Sequence, residues 1–317
     1  MTYETENPDI QALRPRLQAP DAGMRRIALI DLADLEDPDG LVWLVDSLRH
    51  DPATDVRAQA ASLLEAWEED AVVEALCQAL TDTEASVRDA AAQSLSVLKT
   101  TQAGRLLLPW ATHADVSVRT AIFRALRELR LEAAAPSAML ALNDTDAGVR
   151  REAVGVLGWL KHLPALEALA RLASSDPDTE VRRAATGALG LASDERVLPA
   201  LYEALQDATW QVREEAATTL GKVGSTRAGD ALITALADDY WQVRLRATRS
   251  LGRLRYAPAL PALLLTLGHS ISNLRKEAAL ALGELGDRQA LGPLRDAADD
   301  GDPEVRKAVR IALAQLQ

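Results

Sequence analysis

Apolar residues recur along the whole chain in short clusters with helical spacing, and polar turns separate the clusters. Residues 226–237 place apolar side chains at i, i+1, i+4 and i+5, which predicts one helix. In residues 241–254, Val243 and Leu251 belong to one apolar stripe, which predicts a second helix with a single buried face. Asp238 begins the polar turn between them. The pattern therefore predicts a unit of two helices joined by a short turn.

This two-helix unit is repeated at nearly constant spacing along the chain. Residues 207–224 read DATWQVREEAATTLGKVG, and residues 238–255 read DDYWQVRLRATRSLGRLR. Aligning the units on the shared arginine gives ten evenly spaced arginines: Arg25, Arg57, Arg88, Arg119, Arg150, Arg182, Arg213, Arg244, Arg275 and Arg306. The period is about 31 residues, which is typical of a helical repeat array. We therefore predict a flexible N-terminus over residues 1–8 and a single repeat array over residues 9–317.

A helix pair of this size cannot bury its apolar faces alone, so neighbouring pairs must stack on one another. Stacking predicts an all-α, right-handed α-solenoid of about ten helix pairs. Gly252 falls near the end of its second helix, where we expect the chain to turn into the next unit. The valines before the repeat arginines are predicted to form the core: Val56, Val87, Val118, Val149, Val181, Val212 and Val243.

The repeated unit follows the pattern D-x5-V-R-x2-A-A-x-A-L-G-x-L-G. Its best copies are DPDTEVRRAATGALGLA at 176–192, the stretch at 207–224, and LRKEAALALGELGD at 274–287. The unit resembles the short HEAT-like repeat of the phycobilisome lyase type, and the resemblance covers about residues 10–317. It implies a solenoid of HEAT-like helix pairs. Such repeats occur in bilin lyase subunits, adaptors and assembly factors, so the resemblance implies no single function.

The net charge of −12 is concentrated in the first half of the chain. Residues 31–89 contain 16 acidic residues against 3 basic ones. This region would repel a phosphate backbone, so we expect no nucleic-acid partner. It is either a solvated acidic face or a docking surface for a basic protein.

Several sequence features bear on the cellular compartment. The N-terminal residues are polar and acidic, unlike a signal peptide, and no apolar run approaches the roughly 18 residues of a membrane span. Cys77 is the single cysteine, which excludes an internal disulfide. We expect a cytoplasmic protein without a membrane partner, with Cys77 packed as a small apolar residue.

The polar residues that recur from unit to unit point to structure rather than chemistry. An aspartate stands six residues before the arginine in seven units: Asp51, Asp82, Asp144, Asp176, Asp207, Asp238 and Asp300. We predict that each caps a helix and pairs with a repeat arginine. His113 and His269 occupy the same slot, where we expect them to cap the turn. No catalytic grouping or metal-ligand spacing emerges, so we predict no catalytic residue, cofactor or metal.

Tryptophans depart from the repeat and are the best indication of a binding site. Second helices line the concave surface of HEAT-like arrays, and Trp210 and Trp241 are expected to lie side by side there. Gly155 and Gly187 should leave open floor nearby. The predicted partner-binding residues are Trp159, Arg183, Trp210, Glu214, Tyr240, Trp241, Leu245, Arg246, Arg249, Lys276 and Leu280. Alternatively, these tryptophans only pack on the neighbouring turn, as expected for Trp43, Trp67 and Trp110 between first helices or at their ends.

Three functions fit these features. The first is a non-catalytic scaffold or adaptor that holds a protein segment or helix in the concave groove. The second, implied by the resemblance, is a bilin lyase-type subunit that carries a linear tetrapyrrole, with arginines pairing with its propionates. The third is an adaptor in cofactor or iron–sulfur assembly. The absence of any catalytic grouping in the sequence favours the scaffold.

Overall fold

A computed structural model describes residues 5–191 and 194–316, and all regular structure in these ranges is helical. The chain separates into two compact units, Met1–Leu160 and Lys161–Gln317. The helices of the first unit are α1 (Pro8–Leu17), α2 (Ala22–Ala33), α3 (Leu41–His50), α4 (Thr54–Leu63), α5 (Asp70–Ala79), α6 (Ala85–Ser96), α7 (Thr101–Leu107), α8 (Val116–Leu126), α9 (Ala135–Ala141) and α10 (Ala147–Trp159). Those of the second are α11 (Leu166–Ser175), α12 (Thr179–Leu189), α13 (Leu198–Ala204), α14 (Trp210–Val223), α15 (Gly229–Ala235), α16 (Trp241–Leu254), α17 (Leu260–Leu267), α18 (Ser272–Leu285), α19 (Leu291–Asp296) and α20 (Pro303–Gln315).

The helices alternate between a first helix and a second helix that packs against it, and the first helix is the shorter one in every pair except α3–α4, where the two are equal in length. A 3-10 turn at Thr226–Ala228 leads into α15, whereas α16 covers the whole of the predicted stretch 241–254. Within each unit, second helices contact second helices, as in α14–α16–α18, and first helices contact first helices, as in α3–α5–α7. Each unit is therefore a two-layer stack of helix pairs, which confirms the predicted all-α solenoid class.

The predicted core positions are buried. The seven valines predicted to form the core have no accessible surface: Val56, Val87, Val118, Val149, Val181, Val212 and Val243. Alanine and leucine residues four and eight positions later share the same face; in α16 these are Ala247 and Leu251. The apolar stripe therefore sets the rotation of each second helix against its neighbours.

Gly252 does not make a turn, which corrects the prediction. It lies inside α16, where a Cβ atom would stand 2.6 Å from the Cα of Ala281 in α18. Its missing side chain therefore lets two second helices approach closely. The left-handed residue after α16 is Arg255, with φ of 50°, whereas Gly224 supplies this conformation after α14.

The N-terminal segment is described from residue 5 onward, and residues 1–4 lie outside the described ranges. Thr5 donates to Asp39 at 3.0 Å, and the Asn7 side chain donates to Asp37 at 2.6 Å. These bonds tie the residues before α1 to the turn that precedes α3. The flexibility of residues 1–8 and the single array over residues 9–317 remain predictions.

Two further expectations concern burial and length. Cys77 lies fully buried in α5, where burial raises the pKa of its thiol to about 12, and this confirms its packing role. Within residues 5–191 and 194–316, no helix combines the length and apolar character that crossing a bilayer requires.

Candidate functional site

The repeat arginines and aspartates form a ladder along the turns. Arg182 Nε donates to Asp207 Oδ2 at 2.7 Å, and Arg182 Nη1 donates to the carbonyl oxygen of Asp176 at 2.9 Å. The arginine thus bonds the backbone of its own turn and the carboxylate of the next turn. The described pairs are Arg25–Asp51, Arg57–Asp82, Arg119–Asp144, Arg182–Asp207, Arg213–Asp238 and Arg275–Asp300. The predicted pairing is confirmed, with the carboxylate supplied by the aspartate of the following repeat.

The ladder aspartates do not occupy the N-cap position itself, in contrast to the prediction. Asp207 Oδ1 accepts the backbone N–H of Thr209 at 2.7 Å, and Thr209 is the N-cap residue of α14. The aspartate therefore orders the turn two residues ahead of the helix. This arrangement recurs along the chain and has a structural role.

The two histidines in the aspartate slot order their turns in the same way. His113 Nδ1 accepts the N–H of Asp115 at 3.1 Å, and His269 Nδ1 accepts the N–H of Ile271 at 3.0 Å. The predicted position in the turn is confirmed, but neither histidine is itself the N-cap residue, which is Asp115 for α8 and Ile271 for α18. His269 supplies no carboxylate to the preceding repeat arginine, and the Nε of Arg244 is buried without a hydrogen-bond partner in the part of the chain that the structure describes. Among the residues that the structure describes, no three His, Cys, Asp or Glu side chains are grouped so that they could hold a metal ion.

Trp210 and Tyr240 form a stacked pair at the start of α14 and α16. Their ring centroids are 5.4 Å apart and their planes differ by 14°. The Arg213 guanidinium lies 5.6 Å from the centre of the same tyrosine ring. Tyr240 is 45% exposed, and Trp210 and Trp241 are half-buried. Trp210 therefore packs on the neighbouring turn and still presents surface to solvent; we call Trp210, Tyr240 and Trp241 the aromatic platform.

The predicted charged residues of the second helices form ion pairs between adjacent helices. Arg246 of α16 donates to Glu214 of α14 at 2.9 Å. Lys276 of α18 lies 4.0 Å from Glu304 of α20. Each pair joins neighbouring helix pairs and leaves part of both side chains in solvent. These residues therefore contribute both to packing and to the exposed face.

Arg249 makes the shortest of these contacts. It donates to both carboxylate oxygens of Glu277 at 2.7 and 2.9 Å, and this bond raises the pKa of the guanidinium. Burial and the neighbouring Glu277 raise the pKa of Glu284. Glu277 is almost fully buried, whereas Arg249 is 54% exposed. The sequence pattern indicated Arg249 but not its partner Glu277. Glu277 stands two positions after the repeat arginine Arg275, and an acidic residue at that position could have indicated an ion pair between second helices.

The remaining predicted residues differ in their surroundings. Leu245 and Leu280 are half-buried on α16 and α18. Arg183 is exposed and pairs with Glu180 of its own helix at 2.7 Å. Trp159 belongs to the first unit and is 41% exposed. The platform and the α14–α18 charges thus all belong to the second unit.

The glycines predicted to leave open floor are covered by neighbouring side chains. A Cβ atom on Gly155 would stand 2.8 Å from Cδ of Arg127, and one on Gly187 would stand 3.0 Å from Oε1 of Glu215. Long polar side chains occupy the space that each missing side chain leaves. This part of the prediction is wrong.

The other tryptophans have the expected packing roles. Trp43 is buried in α3 and Trp110 stacks on His113 with ring centroids 5.7 Å apart. Trp67 is half-buried where the 3-10 turn Leu64–Ala66 ends. None of these three residues belongs to the second-helix face described above.

Comparison with known proteins agrees with this architecture. A family model described as HEAT repeats matches residues 41–127, 104–190, 166–247 and 229–314. No curated protein matches the sequence. The chain is similar in structure to YibA of Escherichia coli, with 21% identity over 84% of this chain and 98% of YibA and a TM-score of 0.60.

Two further solved structures share the fold. Yeast importin-β, Kap95p, is 14% identical over 97% of this chain and 49% of its own, with a TM-score of 0.70. An engineered protein is 21% identical over 98% of this chain and 99% of its own, with a TM-score of 0.54. The chain spans about half the length of Kap95p, and identities this low are evidence of fold alone.

Proposed function

The chain belongs to the HEAT repeat family, and we propose from this that it is a non-catalytic protein-binding scaffold. In this proposal the second-helix face of the second unit holds a segment of another protein. Kap95p, which shares the fold, binds RanGDP and forms a complex with Nup1. Stacked helix pairs present extended surfaces that suit such contacts. The observation that carries the proposal is the aromatic platform.

The platform has the chemistry of a binding anchor. Tryptophan, tyrosine and arginine supply most of the energy of protein interfaces when a partner covers them. The stack of Trp210 on Tyr240 holds both rings in place before binding, so little side-chain entropy is lost on association. Leu245 and Leu280 add apolar surface, and Arg246 keeps donors at the margin. A segment with one large apolar side chain and polar flanks fits this face.

The test is a substitution that separates binding from folding. A partner is captured from the native cell, identified, and measured against the purified chain and its Trp241→Ala variant. We expect binding to weaken by about 2 kcal/mol, roughly 30-fold. The free energy of unfolding should fall by less than about 1 kcal/mol because the residue is partly exposed. A captured protein whose affinity is unchanged by Trp241→Ala does not count as support.

The matched control is Trp110→Ala, which removes another stacked, half-buried tryptophan outside this face. It should leave the affinity unchanged. If binding survives the double change Trp210→Ala and Trp241→Ala, or if Trp241→Ala unfolds the chain, the platform is only packing between turns. The proposal would then fail.

A chromophore-carrying subunit is the second candidate. The flat stack of Trp210 on Tyr240 suits a conjugated ligand. Titration with a linear tetrapyrrole separates the two functions. A shift in visible absorbance that Trp210→Ala abolishes would favour the chromophore.

A basic partner on the acidic residues 31–89 also remains a proposal. An apolar groove of about 490 Å³ lies there between α3 and α5, lined by Val42 and Val72 and bordered by Asp46 and Glu69, with Arg49 and His50 also at its edge. Carboxylates around an apolar groove suit a basic amphipathic segment. With such a partner, the association rate would fall steeply as salt rises.

A further inference from the structure

The first unit carries a second candidate site, built from three arginines that follow one another along α8 and its end. Arg124 belongs to α8, Arg127 directly follows its last residue, and Arg130 lies in the turn beyond it. Arg124 Nε lies 3.6 Å from one carboxylate oxygen of Glu152 in α10, and Arg127 Nη1 lies 3.4 Å from the other. We call Arg124, Arg127 and Arg130 the arginine row. It runs beside α10.

The facing side of α10 is shaped to receive this row. Arg127 crosses Gly155, whose missing side chain leaves the space that its methylene groups occupy. One turn later on α10, Trp159 lies beneath Arg130, with the guanidinium carbon 5.4 Å from the ring centre. Arg130 lies in the turn that follows α8, and its backbone is left-handed, with φ of 49°. The row and Trp159 therefore form one continuous surface.

The guanidinium groups of this surface outnumber its carboxylates. Arg151 also contacts Glu152, at 3.2 Å, so three guanidiniums share one buried carboxylate. Glu128 adds a largely exposed carboxylate 3.7 Å from Arg127. The arginine row and Arg151 carry four positive charges against two negative ones, which leaves a net charge of +2 among these residues. The three guanidiniums around Glu152 are 37–47% exposed, so their free N–H donors are accessible.

The chemistry of the surface favours a short acidic ligand over a nucleic acid. The first unit contains 26 acidic against 15 basic residues, a net charge of −11. A nucleic acid carries phosphates far beyond the arginine row and would meet this negative surface. A short segment with few carboxylates would contact only the arginines, because charges beyond about 8 Å are screened at physiological salt.

We propose that the arginine row and Trp159 bind an acidic segment of a partner protein. Carboxylates of the segment pair with the guanidiniums, and an apolar side chain packs against Trp159. Glu152 is an internal carboxylate that competes with the segment for Arg124 and Arg127. This site is separate from the aromatic platform of the second unit and does not rest on its function.

The test measures fluorescence anisotropy of a dye-labelled peptide made of glutamate, glycine and one phenylalanine. Companion probes are the same peptide with glutamine for glutamate and an oligothymidylate of equal charge. The triple variant Arg124→Gln, Arg127→Gln and Arg130→Gln should bind the acidic peptide at least about tenfold more weakly. The matched triple variant Arg171→Gln, Arg196→Gln and Arg227→Gln loses the same charge from exposed ion pairs in the second unit. It should stay within about twofold of the parent.

A second variant keeps the test decisive if the first triple variant folds poorly. Glu152→Gln removes the internal carboxylate, so the guanidiniums it shares should bind the acidic peptide several-fold more tightly. A purely structural row predicts no such gain. Arg130→Gln, whose described contact is the Trp159 ring, should weaken binding in a chain with an unchanged thermal transition.

Four outcomes would overturn the proposal. They are equal losses in the two triple variants, weaker peptide binding by Glu152→Gln, equal binding of the glutamate and glutamine peptides, and tighter binding of the oligothymidylate. The last outcome would assign the row to phosphate ligands instead. None of these measurements involves Trp241, so failure here leaves the scaffold function of the second unit standing.

Discussion

Arginine–carboxylate pairs occur both along the turns and on the second-helix faces of this protein, but they differ in burial and in regularity. Along the turns, each described rung joins an arginine to the aspartate of the following repeat, and both side chains are largely buried, as in Arg182–Asp207 at 14% and 9% exposure. On the faces, the pairs are individual and more open, as in Arg183–Glu180 at 47% for each side chain. The repeated contacts hold the stack together, whereas the irregular ones mark surfaces available to partners.

The physical reason lies in what each arginine has to satisfy. A ladder arginine such as Arg213 bonds two carbonyl groups of its own turn and the carboxylate of the next, so every stacked pair needs one. A face arginine such as Arg246 bonds one carboxylate and keeps donors exposed. Selection for stacking repeats the first kind of contact. The second kind is not required in every repeat, so it can differ from one repeat to the next and suit a particular partner.

Acid should break the ladder first, and this is the largest effect expected. The hydrogen bond from Arg57 holds the pKa of Asp82 below its ordinary value. Burial is the largest single influence on Asp207 and raises its pKa, but the hydrogen bonds from Arg182 and Thr209 and the charge of Arg182 together outweigh burial, so the pKa is lowered. The pKa values of Asp144, Asp238 and Asp300 are lowered as well. Carboxylates with lowered pKa stabilise the fold above their unfolded pKa of about 4 and lose this contribution as pH falls through the folded value.

Urea unfolding at a series of pH values measures this loss. The free energy of unfolding should be level near neutrality and fall steeply below about pH 4, by more than any single substitution below causes. Asp207→Asn removes one titrating rung, so its curve should fall less steeply. Parallel curves for the parent and Asp207→Asn would contradict a stabilising role for this rung.

Removal of one rung should cost more than removal of one face pair. Asp207→Ala leaves the Arg182 guanidinium without its carboxylate and the Thr209 N–H without its acceptor. We expect the free energy of unfolding to fall by about 1–3 kcal/mol. Glu180→Ala removes the exposed partner of Arg183 and should cost less than about 0.5 kcal/mol. Similar costs for the two changes, measured by urea unfolding, would erase the distinction between ladder and face.

The ladder and the core could be predicted from the sequence because both repeat. The apolar stripe of α16 predicted a helix over 241–254, and the structure has it at Trp241–Leu254. The buried valines followed from the same spacing. The aspartate slot was also readable. A period that recurs ten times averages out local variation, so the common features of the unit emerge clearly.

The contacts between pairs could not be predicted, because they depend on how one unit is placed on the next. Sequence spacing alone could not show that Arg182 bonds the carboxylate of Asp207 and only the backbone of Asp176. It could not show that Trp210 stacks on the ring of Tyr240. The sequence predicted open space at Gly155, but the side chain of Arg127 from the neighbouring helix pair covers it.

The last expected effect is a gain in stability, at one of the two points where a histidine interrupts the ladder. His269 fills the slot of an aspartate, and Arg244 retains a buried Nε without a hydrogen-bond partner within the described residues. His269→Asp would supply a carboxylate to Arg244 and an acceptor for the N–H of Ile271, as at other rungs. We expect the free energy of unfolding to rise by about 1 kcal/mol, the usual contribution of one added hydrogen bond. Ser270→Asp, which adds the same charge one residue later outside the slot, is the control and should give no gain. The gain should also vanish when Arg244 is replaced by glutamine, because only the pairing accounts for it. Equal stabilisation with and without Arg244 would show that the carboxylate acts on the turn alone, and the ladder would then owe its strength to ordered turns rather than to ion pairs.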